Sequence, residues 1–309
     1  MGRLLVPEID RLLAAGGATD RATVKAVAWA KPFLHLRAVF DPVKLPDTPV
    51  AFIKVPDVEG TLLARASAIA ALAALELETI SYGSENSGEL FVNLVVIPGE
   101  GREAEKSQGG MRGHTDGVAF PIRGHQDPGD PRIAPSPDFV CLATLRNPNA
   151  VATNVIPLKD VLAKLPQESI LELQKPQYII GAQHTFRKGM RAILGYELML
   201  DDAQVLFSTD LGYWIRYSHS STQPAESGAS LAKTAMVLLE EECPKCAQPV
   251  SLEPGDIVLV NNRIGLHGRD QVGDESGGTT RWLLRTYGLD TAGMCPTRRH
   301  VGSPYKLFP

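Results

Sequence analysis

Disulfides, membrane spans and a basic surface are all missing from this sequence, and each absence removes a class of protein. Four cysteines in 309 residues cannot make the framework that staples small secreted domains. Cys141 and Cys295 are isolated. Cys243-Pro244-Lys245-Cys246 is half of a four-ligand zinc site, but no second CxxC completes it, so the motif is expected to form a solvent-exposed turn after a helix. No thioredoxin-like βαβ pattern surrounds it to make it redox-active. Lys and Arg number 31 against 35 Asp and Glu, a net charge of -4, which argues against nucleic acid or an anionic membrane as a partner. No apolar run is long enough to span a bilayer. The opening MGRLLVPEIDRLLAAGG lacks a signal-peptide core and reads as a short amphipathic helix. A cytoplasmic protein with a small-molecule partner is expected.

What is present is apolar content, at 44%, sufficient for a sizeable core in one domain over residues 1–309. No repeat or linker divides the chain. The Ala- and Leu-rich residues 60–78 predict a buried helix, and Glu89–Ile97 a core strand stopped by Pro98-Gly99. Residues 98–113 are polar and glycine-rich and read as a loop. Residues 121–138 hold five prolines and cannot form regular structure; they read as an insertion before the strand Phe139–Leu145. A helix broken at Pro166 is expected over 155–175, short strands over 177–217, and a helix over 228–242. Short strands throughout, with helices early and inserted late, fit a mainly β double-sheet jelly roll with flanking and inserted α-helices. Composition alone does not separate that from other α+β folds.

His114-Thr115-Asp116, answered far downstream by His267, is the most informative feature. Two imidazoles and one carboxylate are the protein set that holds a non-haem Fe(II) on one face, leaving three positions for a chelating co-substrate and O2. In a strand-like segment residues two apart project to the same side, so His114 and Asp116 can reach one ion. Gly113 and Gly117 leave room for a turn or a ligand. An HxD triplet alone is weak; the setting of His267 adds weight. Glu253-Pro254-Gly255-Asp256 reads as a turn before the strand Ile257–Val260, and Leu266-His267-Gly268-Arg269 follows shortly. Then comes Arg281–Tyr287, strand-like, with arginines alternating with bulky apolar residues. A guanidinium there would suit a carboxylate, which it grips with two parallel charged hydrogen bonds.

NNRIGLHGRD followed by RWLLRTYG resembles the C-terminal signature of the clavaminate synthase-like group of Fe(II)/2-oxoglutarate-dependent oxygenases, related to taurine dioxygenase. HTDG resembles the family's HxD/E box, and CLATLRNPNAVATN the stretch after it. The resemblance covers residues 80–290. It implies a double-stranded β-helix (jelly-roll) core over about 88–290 behind a helical part over about 1–80. By position it implies His114, Asp116 and His267 as iron ligands, and Arg281, fourteen residues after His267, as the anchor of the 2-oxoglutarate C5 carboxylate. Thr153 stands where the family places a hydroxyl on that carboxylate, with Thr144 as a competitor. Arg285 either supports the same carboxylate or meets the substrate. Asp116 departs from the Glu that several amino-acid hydroxylases of the group carry, so the box does not name the substrate.

For the substrate the resemblance implies two regions: Ser84–Gly88, with Glu85 and Asn86, and Ser208-Thr209-Asp210, where relatives carry an acid that pairs with a substrate amine. Arg112, just ahead of the metal box, is a further candidate for a substrate carboxylate. Each of these is otherwise an ordinary surface residue, and Arg281 and Arg285 are otherwise exposed strand charges. His35, His125, His184, His219 and His300 lack a partner at ligand spacing. The implied chemistry is oxidative decarboxylation of 2-oxoglutarate to succinate and CO2 coupled to hydroxylation of an unactivated C–H in a free amino acid or close derivative, in biosynthesis. Relatives that halogenate have a small residue at the Asp116 position, so the carboxylate points to hydroxylation. Desaturation and ring closure start from the same chemistry. The same reaction on a sulfonate, carboxylic acid or carrier-bound substrate is the alternative, and a non-catalytic jelly-roll metal-binding or sensing protein is a third. A mere scaffold has no need of both triad and arginine anchor.

Overall fold

The computed structural model describes residues 2–15, 20–125, 129–225 and 230–309. Residues 126–128 of the proline-rich insertion, 16–19, and 228–229 at the start of the late helix lie outside the described residues. The elements run α1 (Gly2–Ala15), α2 (Arg21–Ala30), β1 (Phe33–Leu36), α3 (Glu59–Ala74), β2 (Glu78–Tyr82) and β3 (Val92–Val95). Then come α4 (Arg102–Gln108), β4 (Met111–His114), β5 (Phe139–Arg146), β6 (Thr153–Pro157), α5 (Leu158–Leu162), α6 (Gln167–Leu173), β7 (Tyr178–Gly181) and α7 (His184–Leu194). The rest are β8 (Met199–Ala203), β9 (Leu206–Thr209), β10 (Gly212–Ile215), β11 (Thr222–Pro224), α8 (Ser230–Lys245), β12 (Gln248–Val250), β13 (Ile257–Asn261), β14 (Gly265–Arg269), β15 (Trp282–Leu289) and β16 (Lys306–Leu307). Among the described residues no helix is long and apolar enough to cross a membrane.

Two sheets carry the architecture. A seven-stranded sheet runs β1-β13-β5-β15-β2-β16, with β3 also on β15, and a four-stranded sheet runs β12-β6-β14-β4. Side-chain alternation along the strands sorts the core into layers. Val140, Leu142, Val258, Val260, Leu283 and Tyr287 from the large sheet meet Val155 and Val250 from the small one, so one apolar layer lies between the sheets. The opposite face of the large sheet (Phe139, Cys141, Ala143, Leu259, Trp282) packs on Ala64, Ala68 and Leu72 of α3. The outer face of the small sheet (Ile156, Leu266) packs on α5, α6 and α8. Strands buried on both faces cannot show polar alternation, which is why β5 and β13 read as unbroken apolar runs.

The structure corrects several expectations. Residues 98–113 are not a loop throughout: Arg102–Gln108 is helical, and β4 already begins at Met111. Residues 153–157 are strand β6, and the helix over 155–175 is two helices, the second capped by Pro166. The stretch 177–217 contains α7 as well as strands, and α2 falls within the helical part expected over about 1–80. The early helix ends at Ala74, and Glu78 already belongs to β2. Cys243 and Cys246 are free and buried around the end of α8, not in an exposed turn. Their thiols are packed in the apolar layer under the small sheet.

Candidate active site

β4 and β14 pair antiparallel with His114 directly opposite His267, and both rings face the space between the sheets. Asp116 follows just past the end of β4. The three residues are 4–8% exposed, and their ligand atoms lie within 4.8 Å of one another. His114 Nε2 is 3.6 Å from Asp116 Oδ1, and His267 Nε2 is 3.8 Å from Asp116 Oδ2. The Nδ1 of His114 donates to the Arg112 carbonyl at 2.9 Å, which leaves Nε2 as the free lone pair toward the centre. Burial, then the neighbouring His114 ring, push His267 down to about 3, so it is neutral at pH 7, the form that ligates metal. Burial works against the Asp116 charge, but Arg285, His267 and His114 outweigh it and hold the carboxyl below its ordinary value. Asp116 Oδ2 is buried with no hydrogen-bond partner among the described residues. A neutral imidazole pair and an orphaned carboxylate oxygen, converging, fit a non-haem ferrous ion.

The backbone around Asp116 is gripped from two sides. Asn262 accepts from the Asp116 N–H at 2.8 Å and donates to its carbonyl at 2.9 Å. Gln183, at the head of α7, accepts from Gly117 N–H at 2.8 Å and donates to the Thr115 carbonyl at 3.0 Å. Close backbone approach at Gly268 brings β4 against β14: a Cβ there would stand 2.2 Å from the Met111 carbonyl oxygen. Gly268→Ala is therefore expected to force the two ligand strands apart. It should cost about 1–3 kcal/mol of stability, read by denaturant unfolding, and weaken metal uptake. Unchanged stability and metal affinity would show that the strands can give.

A second cluster of groups without partners faces the same inter-sheet space. Arg281 precedes β15 and shares the inward parity of Leu283, Arg285 and Tyr287. Its Nε is buried, and no described residue offers it a hydrogen bond. Burial, and next the charge of Arg269, push it down to about 9. The hydroxyls of Thr153 and Thr144 are buried and equally unpartnered. Thr153 shares the parity of Val155 on the small sheet and Thr144 that of Leu142 on the large one, so both candidates face this space.

Arg285 differs sharply. It donates to Glu85 at 2.5 Å and stands 3.6 Å from Asp116 Oδ2. Burial opposes its charge, but Glu85, then Tyr287 and Asp116, hold the guanidinium above its ordinary value. Tyr287 donates to the other Glu85 oxygen at 3.0 Å. The structure thus brings Glu85, 5% exposed, into the site. Asn86 is half-buried beside it in a left-handed turn.

Two sequence candidates lie elsewhere. Asp210 is exposed at the turn between β9 and β10 and is not among the residues that converge on the triad. Arg112 is exposed and bonds His219 at 2.6 Å; that ring in turn approaches Glu240 of α8 at 3.4 Å. The pairing of β4 with β14 slips by one residue between His267 and Arg269, so Arg112 and Gly113 together oppose Gly268. That bulge turns Arg112 toward α8 and away from the triad. Sequence reasoning missed Asn262, Gln183 and Tyr287. The NNR run and the inward parity of β15 carried a signal for the first and last; Gln183 had none.

No family model matches the chain. A structure of asparagine oxygenase with Fe(II), (2S,3S)-3-hydroxyasparagine and succinate superposes at TM-score 0.76, 23% identical over 94% of this chain and 83% of that one. The fold is shared with that oxygenase. The non-heme iron oxygenase OrfP, with Fe, succinate and (3S)-hydroxy-L-Arg, superposes at 0.73, 20% identical over 98% of this chain and 90% of that one. In sequence, L-lysine 3-hydroxylase of Catenulispora acidiphila is 25% identical over 219 residues, 67% of this chain. The alignment spans about half of that relative, 54% of its length. The resemblance read from the sequence is consistent with all three.

Proposed function

We propose that the chain is an Fe(II)- and 2-oxoglutarate-dependent hydroxylase of a free amino acid or close derivative, built as one jelly-roll domain from the two facing sheets. The observation that carries this reading is a converging His114–Asp116–His267 set with, across the same inter-sheet space, Arg281, whose buried Nε has no partner among the described residues. His114, Asp116 and His267 would hold the iron, which supplies oxidative decarboxylation of 2-oxoglutarate and activation of O2. Arg281 and Thr153 take the distal carboxylate of the co-substrate, with Thr144 as the nearby alternative.

The substrate reading rests on Glu85 and Arg285. An amino acid carries both an ammonium and a carboxylate, and a buried Glu–Arg pair beside the iron carboxylate can exchange its mutual bond for one with each. Arg285 thus goes to the substrate, and Glu85 rather than Asp210 takes the amine, with Asn86 at its side. One similar protein is named L-lysine 3-hydroxylase, and the other two are solved with 3-hydroxyasparagine and (3S)-hydroxy-L-Arg, which supports the β-carbon as the target here; OrfP is also solved with (3R,4R)-dihydroxy-L-Arg, which makes the next carbon the alternative.

Incubation with iron, 2-oxoglutarate and each of the twenty amino acids tests the reading. Succinate should rise with at least one, together with a product heavier by one oxygen. Substrate-independent silence in the wild type, with iron bound, would favour a binding or sensing protein. Glu85→Gln should raise the amino-acid KM tenfold or more, since hydrogen bonds to charged groups contribute about 1.5–3 kcal/mol. It should spare uncoupled succinate formation, so counting succinate and hydroxylated product separately decides. Equal loss of both would place Glu85 in the scaffold alone.

A further inference from the structure

We infer that Arg269 is a second guanidinium of the co-substrate cradle, and that the same side chain ties this cradle to the segment leading into the metal box; the inference rests on the 2-oxoglutarate reading above. Residues 267 and 269 are two apart on β14 and so share the inward face, separated by roughly 6.8 Å at the usual strand rise. Arg269 is in register with Thr153 on β6, which makes their side chains cross-strand neighbours. Arg269 Nε and Thr153 Oγ1 are both buried without a partner among the described residues, and so is Arg281 Nε. The two arginines lie close enough for their charges to repel. No carboxylate ion-pairs with either among the described residues. A carboxylate placed among the three donors would answer all of them at once. In a five-carbon 2-oxo diacid, the distance from the chelating end to the distal carboxylate suits that step from His267 to Arg269.

The other end of Arg269 is already committed. Its Nη2 donates to the carbonyls of Lys106, Ser107 and Gly109, the last two at 2.8 and 3.1 Å. These are acceptors at the C-terminal end of α4, where the helix leaves carbonyls unsatisfied. The guanidinium is planar and rigid, so holding Nε on an anion fixes the direction in which Nη2 points. Binding of the co-substrate should therefore order residues 102–110, from which β4 and its His114 follow directly.

Two readouts test this on the ferrous protein kept free of oxygen: calorimetric titration with 2-oxoglutarate, and hydrogen exchange of residues 102–110 with and without it. In the wild type, 2-oxoglutarate should slow exchange in that segment. Arg269→Lys keeps the charge but not the fork; it should weaken 2-oxoglutarate binding tenfold or more and abolish that slowing, with iron affinity changed less than threefold. Thr153→Val guards against a folding defect, since it leaves Arg269 whole. It should weaken binding yet keep the slowing at saturation. If the wild type binds 2-oxoglutarate and Arg269→Lys binds it equally well, or slows exchange equally, the inference is overturned while the co-substrate reading stands. A wild type that takes up iron but no 2-oxoglutarate overturns that reading and the inference together.

Discussion

Asp116→Ala is expected to reduce turnover to background while the protein stays folded. Asp116 is the only carboxylate among three convergent donors, and Arg285, His267 and His114 keep it ionised despite its burial. Its loss removes a direct ligand, so metal affinity should fall by more than the roughly 10–100-fold seen when outer partners of a ligand are lost. The backbone has independent support: Asn262 holds the N–H and carbonyl of residue 116 whatever its side chain. Metal titration, succinate release and thermal unfolding on one preparation separate these effects. Wild-type turnover in Asp116→Ala, without added carboxylate or halide, would sink the iron assignment.

Arg281→Met should act in opposite directions on binding and on stability. Without its anion, the buried guanidinium has an unsatisfied Nε and faces a second cation. Leaving a buried polar group unpaired costs on the order of 1–3 kcal/mol, so methionine, of similar length and apolar, should stabilise the protein by about that much. The same change removes the charged contact to the co-substrate. Truncating one partner of a buried charged pair costs about 2–5 kcal/mol, which raises the 2-oxoglutarate KM thirtyfold or more. The amino-acid KM should move far less. Denaturant melts of the protein without co-substrate, alongside steady-state kinetics, check both arms. A destabilised Arg281→Met with an unchanged KM would return Arg281 to the scaffold and move the anchor elsewhere.

How far the sequence could be read depended on whether the determining contacts were local. β5 and β13 were legible as apolar runs, and the HxD box and His267 as chemistry, because residue type and spacing carry those signals. The segment before the box was misread because five glycines and a run of polar residues hide both α4 and the start of β4. α7 was missed for a similar reason: Gly189 weakens the helical pattern, yet a Cβ there would strike the backbone of Ser84. The bulge that redirects Arg112 depends on pairing with Gly268, which no local pattern reveals. Glu85 and Arg285 are 200 residues apart, and only the sheet brings them into contact. Asp210 looked equally acidic and stayed at a hairpin tip.

β4 is an edge strand of its sheet, paired along its length with β14 on one side, while on the other it has no paired strand among the described residues, just an isolated bridge from His114 to Ser218 and bonds between Thr115 and Tyr217. Edges fray at a free energy well below that of global unfolding. An ion shared by residues 114, 116 and 267 would cross-link that edge to an interior strand, so chelation should release 111–116 first and leave the slow-exchanging centre of β5, β13 and β15 untouched. Loss of iron would then register as a local opening long before any melting of the whole, and a protease or an exchange experiment, rather than a thermal scan, would be the sensitive gauge of how fully the protein is loaded.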